Sequence, residues 1–500
     1  MKTTIIEQDS LREENLLLKQ QVDYLQEQIG WLKRQLFGRK SEKIIHHSAE
    51  INWLPGFENY TSQTETKKEE VVVVPQHNKR KPNRNGSESF EYPENLPIER
   101  HILDLTEEEK VCPNTGKALV VIGEDITRKL AKKTATFYIK EIVRIKYGMP
   151  KGGTEGVKAA DLPGFILPKC QADESLLADI VCMKFADHLP LYRISEILGR
   201  EGIQISRQLL SQWILRLGTA LKPLYIALQK RILQSGNIFV DETPIDLLEK
   251  GKGKTHKAIM WAMSGGKCNN PPDRIYRFTY DRKTKHAHDM LGNFEGIFHS
   301  DKYRAYIQVA ENKNKIWCPC WAHIRRKFVE AETGDVKFTN WVLEKIKHLF
   351  MIDQIGWDGL PEERLKIRQE QSIPIIDELI TAIKDKLIHG KILPRSKYKE
   401  ALGYFISLIP YLKNYTNHAF AHLDNNVVER AIRPLTIGRK NWLFVGSQAG
   451  GEAAAILLSL VQTCRAHSIN PREYLEDIFH RLMDYNIQKI DELLPGSWKK

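Results

Sequence analysis

Three acidic residues have the type and the spacing expected of a metal-dependent site. Asp241 and Asp301 each follow an apolar run typical of a buried strand, in NIFVDETPIDLL (237–248) and GIFHSDKYRAY (296–306), and Glu429 lies in an Arg- and Asn-rich segment further on. Carboxylate oxygens are the ligands that Mg²⁺ prefers. Two such ions about 3.5–4 Å apart prepare a water or a 3′-hydroxyl for attack and stabilise the leaving oxygen of a phosphodiester. The acids therefore predict phosphodiester chemistry, although any one Asp at a strand end could instead cap a helix or face solvent.

The strands that must carry the first two acids are predicted from apolar runs and from alternation. Three strands come first, then a helix, then a fourth and a fifth strand, which is the order of a ribonuclease-H-like sheet. In that sheet the first and fourth strands are neighbours, so Asp241 and Asp301 would project from adjacent strand ends. The first predicted strand runs from 237 to Asp241, within 237–248. The others are 255–266, 273–281 and the starts of 296–306 and 315–328, and the helix is 283–294.

A helical insertion is predicted between the fifth strand and the segment that carries Glu429. The chain runs 128 residues from Asp301 to Glu429, which is long for a compact fold. Helical patterns at 342–350, 362–371 and 373–390 account for much of that length. Glu429, on a later helix, would then complete the metal site.

A helix–turn–helix pattern precedes the strands. Residues 191–218 have the pattern of two helices separated by a turn at Gly202, and Ser206 is placed to cap the second helix. The second helix of such a motif can enter the major groove of DNA. An ordinary helical hairpin is the alternative interpretation, and it is the commoner of the two.

The N-terminal region has the pattern of a short coiled coil. Leucines recur every seven residues from Leu11 to Leu32, within residues 10–36, and this repeat favours a homodimer or a higher oligomer. The alternative is an amphipathic helix that packs on its own domain. The polar stretch 46–90 then has the composition of a linker, with a basic cluster at 78–84.

The cysteines do not predict a zinc site. Cys112 lies in a turn of a small β-rich segment, but Thr115 stands where a second thiolate would be needed. Cys318, Cys320 and His323 could supply at most three metal ligands, with unequal spacing. The simpler interpretation is that the two cysteines pack in the core. His323 and the arginines that follow it are instead candidates for contact with DNA.

Composition and charge restrict the class of protein. The 500 residues include 75 Lys and Arg against 63 Asp and Glu, and the net charge of +12 favours a polyanionic partner, either nucleic acid or an anionic membrane surface. The longest apolar stretch, 453–461, is far shorter than the ~20 residues of a spanning helix, and the polar N-terminus is not a secretory signal. Seven cysteines, an odd and sparse number, do not form a disulfide framework, so we expect a cytoplasmic protein.

Long sequence motifs surround the three acids and continue along nearly the whole chain. They are LFGRKSEK (36–43), HLPLYR (188–193), VDETP (240–244), SDKYRAY (300–306), CWAHIRRKF (320–328), LDNNVVERAIRP (423–434), GRKNWLFVGSQAGGEAAA (438–455) and NPREYL (470–475). In these motifs the chain resembles the transposases of the insertion sequence 66 family, which are bacterial enzymes of the DDE type.

The resemblance implies that Asp241, Asp301 and Glu429 are the catalytic residues and hold two Mg²⁺ ions, for which Mn²⁺ can substitute. It implies transposon-end and target DNA as partners, a homodimer or higher oligomer through residues 10–36, accessory proteins of the same element, and no membrane partner. The expected location is the bacterial cytoplasm, in association with the nucleoid. The family's small module usually has two cysteine pairs, whereas this chain keeps only Cys112 of them, so zinc is not expected.

The implied fold class is multidomain α+β. It has a ribonuclease-H-like DDE catalytic core with a helical insertion, an N-terminal coiled coil, a small β module and a helical DNA-binding region. The expected domains are 1–44, a leucine-zipper-like coiled coil; 45–95, a flexible linker; 96–170, a small β-rich module; 171–233, a helix-turn-helix-like region; 234–328, the first part of the catalytic core; 329–415, the helical insertion; 416–462, the last part of the core; and 463–500, a C-terminal helical tail.

We therefore expect metal-dependent cleavage at transposon ends, followed by strand transfer into target DNA. Two alternatives are a catalytically inactive copy that only binds the ends and a nuclease of the same fold. Cations near Glu429 would hold DNA phosphates, with an i,i+4 salt bridge between Glu429 and Arg433 as the competing interpretation. The candidate DNA-binding residues are His323, Arg325, Arg326, Arg430, Arg433, Arg439 and Lys440.

Overall fold

The computed structural model describes residues 96–499, with short gaps at 108, 111–117, 134–135, 149–157, 250, 252, 266–272, 312–313 and 332–333. The predicted coiled coil at 10–36, the linker with its basic cluster and the turn around Cys112 lie outside the described residues. Within the described part of the chain, no helix is long and apolar enough to cross a membrane.

A small sheet of four strands comes first. Its strands are β1 (Ile98–Leu103), β2 (Val120–Lys133), β3 (Thr136–Gly148) and β4 (Lys158–Ala159). The alternation that predicts β3 is visible in its burial, because Phe137 and Ile139 both lie in the core. β3 pairs in parallel with β1 and antiparallel with β2 and β4, so it forms the centre of this sheet.

Four helices follow the small sheet, and two of them form the predicted hairpin. They are α1 (Glu174–Phe185), α2 (Leu191–Arg200), α3 (Arg207–Ala220) and α4 (Lys222–Leu233). Gly202, between α2 and α3, has φ of +85°, a conformation that glycine adopts without strain. Ser206 accepts the N–H of Leu209 at 3.2 Å and so caps α3. The predicted helices, turn and cap are confirmed.

A mixed sheet of five strands forms the centre of the described chain. Its strands are β5 (Asn237–Leu248), β6 (Thr255–Gly265), β7 (Asp273–Thr279), β8 (Gly296–Ser300) and β9 (Lys315–Pro319). The order across the sheet is β7-β6-β5-β8-β9. β5, β6 and β7 pair antiparallel, whereas β8 lies parallel to β5 and to β9. The first and fourth strands of this sheet are therefore neighbours, as the sequence predicts.

Two local features of this sheet differ from the sequence prediction. β5 does not end at Asp241 but continues to Leu248, because β6 pairs with it along that whole length, up to Leu248 opposite Thr255. The predicted helix is present as α5 (Thr284–Leu291), but a second short helix, α6 (Arg304–Ala310), separates β8 from β9. The sequence pattern does not predict α6, whose seven residues are too few to show a helical repeat.

The predicted insertion is a group of helices that follows β9 and α7 (Trp321–Glu330). Arg368 is fully buried and donates to the carboxylate of Asp353. It also donates to three carbonyls in the segment 415–421, and Arg364 donates to a fourth. These two arginines fix the segment that leads out of the insertion. The insertion comprises α8 (Val336–Asp358), α9 (Pro361–Ile367), a π-helical turn (Arg368–Ser372), α10 (Ile373–His389) and α11 (Lys397–Ile406).

The last described elements return to the five-stranded sheet. They are α12 (Asn426–Trp442), α13 (Gln448–Ala466) and α14 (Pro471–Arg481), followed by short 3₁₀ turns. α12 packs on β5 and β6, and α13 packs on β7. The Gly-rich start of α13 is close to the sheet, because a Cβ added to Gly451 would lie 2.6 Å from the ring of Phe278.

Candidate active site

The pairing of β5 with β8 places Asp241 and Asp301 side by side. Phe239 lies opposite His299 in this parallel pair, and their rings stack with centroids 4.4 Å apart. Asp241 and Asp301 each stand two residues beyond that pair. Because side chains two residues apart in a strand share a face, both carboxylates follow the stacked rings on one side of the sheet. Asp301 comes directly after β8, whereas Asp241 lies in the interior of β5.

A chain of hydrogen bonds joins the ends of three elements around these acids. The N–H of Cys320 donates to the carbonyl of Ser300 at 3.0 Å, and the Cys320 sulfur accepts the N–H of Asn425 at 3.2 Å. Asn425, which is fully buried, donates from Nδ2 to the carbonyl of Val240 at 2.9 Å. The bonds therefore connect β5, the end of β8 and the start of α12.

Three of the bonded residues are adjacent to an acid or one helical turn from it, so the network fixes the three acids relative to one another. Val240 precedes Asp241 and Ser300 precedes Asp301. Glu429 lies one helical turn after Asn425, and its N–H donates to the Asn425 carbonyl at 3.3 Å. Sequence reasoning did not identify the positioning role of Cys320 and Asn425. Asn425 is 105 residues from Cys320 and 185 residues from Val240, so no local pattern reveals these bonds.

Burial and mutual repulsion disfavour the charged forms of these carboxyl groups. The pKa of Asp241 is raised well above its ordinary value, first by burial and then by the nearby carboxylates of Glu242, Asp301 and Glu429. Burial also raises the pKa of Asp301, against the opposing effects of the Tyr303 N–H and of two arginines. Asp241 therefore lies among carboxylates that disfavour its charged form, and a bound divalent cation would stabilise such a group.

Glu242, the residue after Asp241, has partners within the protein. It forms an ion pair with Arg282 and accepts the hydroxyl of Tyr306 at 2.6 Å. Burial and the charge of Asp301 nevertheless raise its pKa. Consecutive strand residues point to opposite faces, so Glu242 faces α6 while Asp241 lies on the other side of β5. These contacts give Glu242 a structural role.

A cavity of about 260 Å³ adjoins Asp301 and is lined by His323 and Arg326. His323 Nδ1 lies 3.8 Å from Glu429 Oε1, and this buried nitrogen has no hydrogen-bond partner among the described residues. Burial, together with the charges of Arg326 and Lys327, lowers the pKa of His323 to about 3. The ring is therefore neutral near pH 7, and its open nitrogen can bind a metal ion or share a hydrogen bond with a substrate.

Cys320 completes a group of potential metal ligands with two of these residues. The ligand atoms of Cys320, His323 and Glu429 lie within 4.8 Å of one another. Metal binding requires the thiolate, but burial raises the pKa of the Cys320 thiol, and its sulfur already accepts the N–H of Asn425. Cys320 is therefore a poor ligand, which leaves the imidazole and the carboxylate.

A second group of potential ligands is remote from the acids on the central sheet. Asp173, Glu174 and His480 bring their ligand atoms within 4.8 Å of one another. Both carboxylates already face a lysine, because Lys140 Nζ lies 3.1 Å from Asp173 and Lys129 Nζ lies 3.5 Å from Glu174. The charges in this group are balanced, so it holds the small sheet on α1 and does not call for a metal.

The candidate DNA-binding residues of α7 separate into two positions. His323 and Arg326 line the cavity beside Asp301, as a contact with a bound phosphate would require. Arg325 is half-buried on the same helix and is not among the described residues that line this cavity. The structure therefore brings two of the three to the acids.

The candidate DNA-binding residues of α12 differ in whether their side chains are exposed to a binding partner. Arg430, Arg433 and Lys440 are exposed on this helix. Arg439 instead donates to Thr243 Oγ1 at 3.1 Å and to the next carbonyl along β5, so it ties α12 to that strand. Three of the four are thus placed to contact a polyanion, and the fourth has a structural contact.

Comparison with protein families gives matches along most of the chain. Residues 169–453 match the model described as "Transposase IS66 family", and residues 459–495 match that of the "IS66 C-terminal element". Residues 24–100 match the model described as "Transposase C of IS166 homeodomain". The first match contains the helical hairpin, the five-stranded sheet, the insertion and α12.

Three curated relatives come from Sinorhizobium fredii (strain NBRC 101917 / NGR234). "Uncharacterized protein y4qI" is 33% identical over 415 residues, which are 80% of this chain and 76% of the relative. "Uncharacterized protein y4jD" is 30% identical over 421 residues, 81% of each chain, and "Uncharacterized protein y4hP" is 29% identical over 432 residues, 82% of this chain and 76% of the relative. From these matches, the chain belongs to the IS66 family of transposases.

Proposed function

We propose that this protein cleaves transposon ends and joins them to target DNA, with Asp241, Asp301 and Glu429 as its catalytic residues. The observation that carries the proposal is the convergence of these acids. Two of them follow a stacked pair on neighbouring strands, and the third is tied to the same strands through Asn425. Membership of the IS66 family supports the same class of reaction.

A ribonuclease-H-like core is part of the proposal. Three antiparallel strands followed by two parallel strands on the opposite side of the first support that fold. In this division 234–328 and 416–462 form the core and 329–415 the insertion. The helix-turn-helix-like region, 171–233, and the small β module, 96–170, would contact DNA, residues 463–500 would form a tail, and residues 1–44 would associate with a second copy through a coiled coil.

The residues present fit a pair of divalent cations. The raised pKa values of Asp241 and Asp301 and the open Nδ1 of His323 support a cation in this place. Asp241, Asp301 and Glu429 would hold Mg²⁺ or Mn²⁺ through carboxylate oxygens. Bound there, the ions supply a reactive oxygen at neutral pH and stabilise the leaving oxygen. Zinc is not proposed, because Cys320 is not available as a thiolate.

The chain's other polar residues would bind and orient the DNA. Arg326 lines the cavity beside Asp301 and can hold a phosphate oxygen there. His323, neutral and partly open, can share a hydrogen bond with the same group. Arg430 and Arg433 are exposed on the helix of Glu429, where contacts with the DNA backbone would fix its register.

Replacement of Asp241 tests this proposal. The substrate is the DNA that flanks the gene, in which inverted repeats define the transposon ends. Asp241→Asn keeps the size of the side chain but removes a charged ligand, so cleavage in Mg²⁺ should fall about 1,000-fold. Asp246→Asn is the matched control, because it lies on the same strand and forms a surface ion pair with Lys257 at 2.7 Å.

The same assay separates the alternatives. Cleavage without joining by the unaltered chain would indicate a nuclease of the same fold. Binding of the ends without cleavage in Mg²⁺ or Mn²⁺ would indicate an inactive copy. Full activity of Asp241→Asn would contradict the assignment of the catalytic residues.

A further inference from the structure

A cleft of about 990 Å³ lies at the end of α12 that is remote from Glu429. One wall is the α2–α3 hairpin, and the other is the segment 443–446 between α12 and α13. Two backbone hydrogen bonds of Val445, at 2.7 and 2.8 Å, fix that segment to the end of β5. Leu443 has φ of +67°, a positive value that a leucine adopts only when its surroundings impose it. One wall is therefore a helical hairpin, and the other is held against β5 by backbone hydrogen bonds.

The charged side chains that line the cleft are all positive. Arg193 and Arg207 contribute from the hairpin, Lys184 from α1 and Lys440 from α12, and no aspartate or glutamate is among the described lining residues. Lys184 Nζ lies 4.6 Å from the centroid of the Trp442 ring, and both residues line the cleft. The lining is therefore complementary to a polyanion.

Exposed apolar side chains lie among these cations. Tyr192, Leu443 and Phe444 line the cleft, with 45%, 66% and 44% of their surface exposed. The guanidinium carbon of Arg193 is 5.7 Å from the Tyr192 ring centroid. Such a lining matches unpaired nucleotides, since bases stack on aromatic rings while phosphates bind the cations. A duplex would leave the apolar side chains unused, because it offers mainly phosphates and groove edges.

A row of exposed residues leads along α12 from the acids to the cleft. Arg430, Arg433, Ile437 and Lys440 recur at intervals of three or four residues and are exposed, so they share one face of the helix. Trp442, the last residue of α12, is 13 positions after Glu429, which corresponds to about 20 Å of helix. DNA held at the acids can therefore meet cations along the whole distance to the cleft.

We propose that the cleft binds a single strand of DNA with unstacked bases, continuous with the DNA at the catalytic acids. The bases lie against Tyr192 and Phe444, and the phosphates lie against Arg193, Arg207 and Lys440. The proposal rests on the proposed transposase function, to which it adds a second DNA-binding surface and the form of the DNA bound there.

Binding of a fluorescent oligonucleotide to the full chain tests the proposal. The probe is a single strand that contains 2-aminopurine, whose emission is quenched when it stacks, and EDTA prevents cleavage. The double variant Tyr192→Ala/Phe444→Ala should bind the single strand about tenfold more weakly and lose the quenching. Its affinity for the paired duplex should stay within about twofold, since a duplex does not offer its base faces.

Salt dependence tests the cations separately. Arg207→Gln should lower the slope of log affinity against log salt by about 0.7 for the single strand, as expected for one lost phosphate contact. Lys230→Gln on α4 is the matched control for Arg207→Gln, and Ile226→Ala on the same helix is the matched control for the double variant. Both residues are exposed, and neither is among the described residues that line the cleft. Both controls should bind like the unaltered chain.

Three outcomes would overturn the proposal. In the first, the double variant keeps its affinity and its quenching. In the second, it loses affinity for the single strand and the duplex to the same extent. In the third, it changes the mass of the protein in solution without changing DNA binding, so a second copy occupies the cleft. Because binding is measured without cleavage, failure of the catalytic assignment would appear only in the assay with Mg²⁺.

Discussion

Two charged groups in this chain differ in how fully their charges are satisfied. In the insertion, Arg368 is 0% exposed and donates to the Asp353 carboxylate and to three carbonyls. On the central sheet, Asp241 and Asp301 are half-buried with other acids nearby, and their pKa values are raised. A complete set of partners indicates a structural group, whereas an excess of one charge indicates a place for a ligand.

The two groups are also connected, because the arginine group of the insertion supports the acids of the central sheet. Arg364 and Arg368 hold the carbonyls of the segment 415–421, which leads directly to Asn425. Asn425 then bonds to the strand of Asp241. Substitutions in the two groups should therefore have opposite effects on activity and stability.

The largest effect is expected at Asp301. Asp301→Asn should lower DNA cleavage in Mg²⁺ about 1,000-fold, because it removes a charged ligand of the proposed metal site. In EDTA the free energy of unfolding should stay equal or rise, since one of several repelling carboxylates is gone. Cleavage assays and urea unfolding measure the two quantities. A marked loss of stability in EDTA would mean that Asp301, like Asp353, is held by partners within the protein.

The opposite result is expected at Arg368. Arg368→Met leaves the Asp353 carboxylate buried without its partner, so unfolding in urea should become easier by about 3–5 kcal/mol. Lys366→Met is the control, because Lys366 lies two residues earlier and is well exposed, and it should change little. The pair Arg368→Met with Asp353→Leu should recover much of the loss. If the pair is no more stable than the single variant, the carbonyl contacts of Arg368 outweigh its ion pair.

A smaller effect is expected at Asn425, which joins the two groups. Asn425→Ala leaves the buried Val240 carbonyl unpaired, at a cost of about 1–3 kcal/mol in the free energy of unfolding. Cleavage should fall by up to about a hundredfold, because Glu429 is no longer fixed relative to Asp241.

Asn414→Ala is the matched control for Asn425→Ala. Asn414 Nδ2 donates to the carbonyl of Trp317 at 2.7 Å, a bond of the same kind between distant residues. Asn414→Ala should lower the free energy of unfolding by a similar amount and leave cleavage intact. Equal losses of cleavage in both variants would show that Asn425 has no special role in positioning the acids.

The smallest effect concerns pH. The pKa of Asp241 is raised in the folded chain, so above its ordinary value of 3.8 the folded form keeps a proton that the unfolded chain has lost. Stability from this group is therefore lost as the pH rises through the interval between the two values. In EDTA, the advantage of Asp241→Asn over the unaltered chain should grow from about pH 4 toward neutrality. Saturating Mg²⁺ should reduce it, because the metal replaces the proton. An advantage that is constant with pH would contradict the raised pKa.

The five-stranded sheet could be predicted from the sequence, because each strand is an apolar run of its own. Phe239 and His299 are paired on the neighbouring first and fourth strands. Asp241 and Asp301 each come two residues later in the sequence, so the two acids lie together. The end of β5 was predicted wrongly as a strand end at Asp241. The residues after Asp241 include polar ones, so the apolar run stops there, although β5 continues and pairs with β6 up to Leu248.

The supporting contacts could not be predicted, because they join distant residues. The bonds of Asn425 to Cys320 and Val240 connect positions 105 and 185 residues apart. In the pattern EERLKIRQEQ, nothing local distinguishes the fully buried Arg368 from the exposed Lys366. Charged residues are usually exposed, and only the three-dimensional packing shows which of them are exceptions.

The contacts of Arg364 and Arg368 have a consequence for natural deletion variants of the gene. A copy that has lost residues 361–372 would keep Asp241 and Asp301 on paired strands but lose the hold on the segment that leads to Glu429. Its basic α12 would remain in the sequence, so under the proposed function it would still occupy DNA ends while failing to cut them. On the same proposal, such a shortened copy would compete with the intact one for those DNA ends.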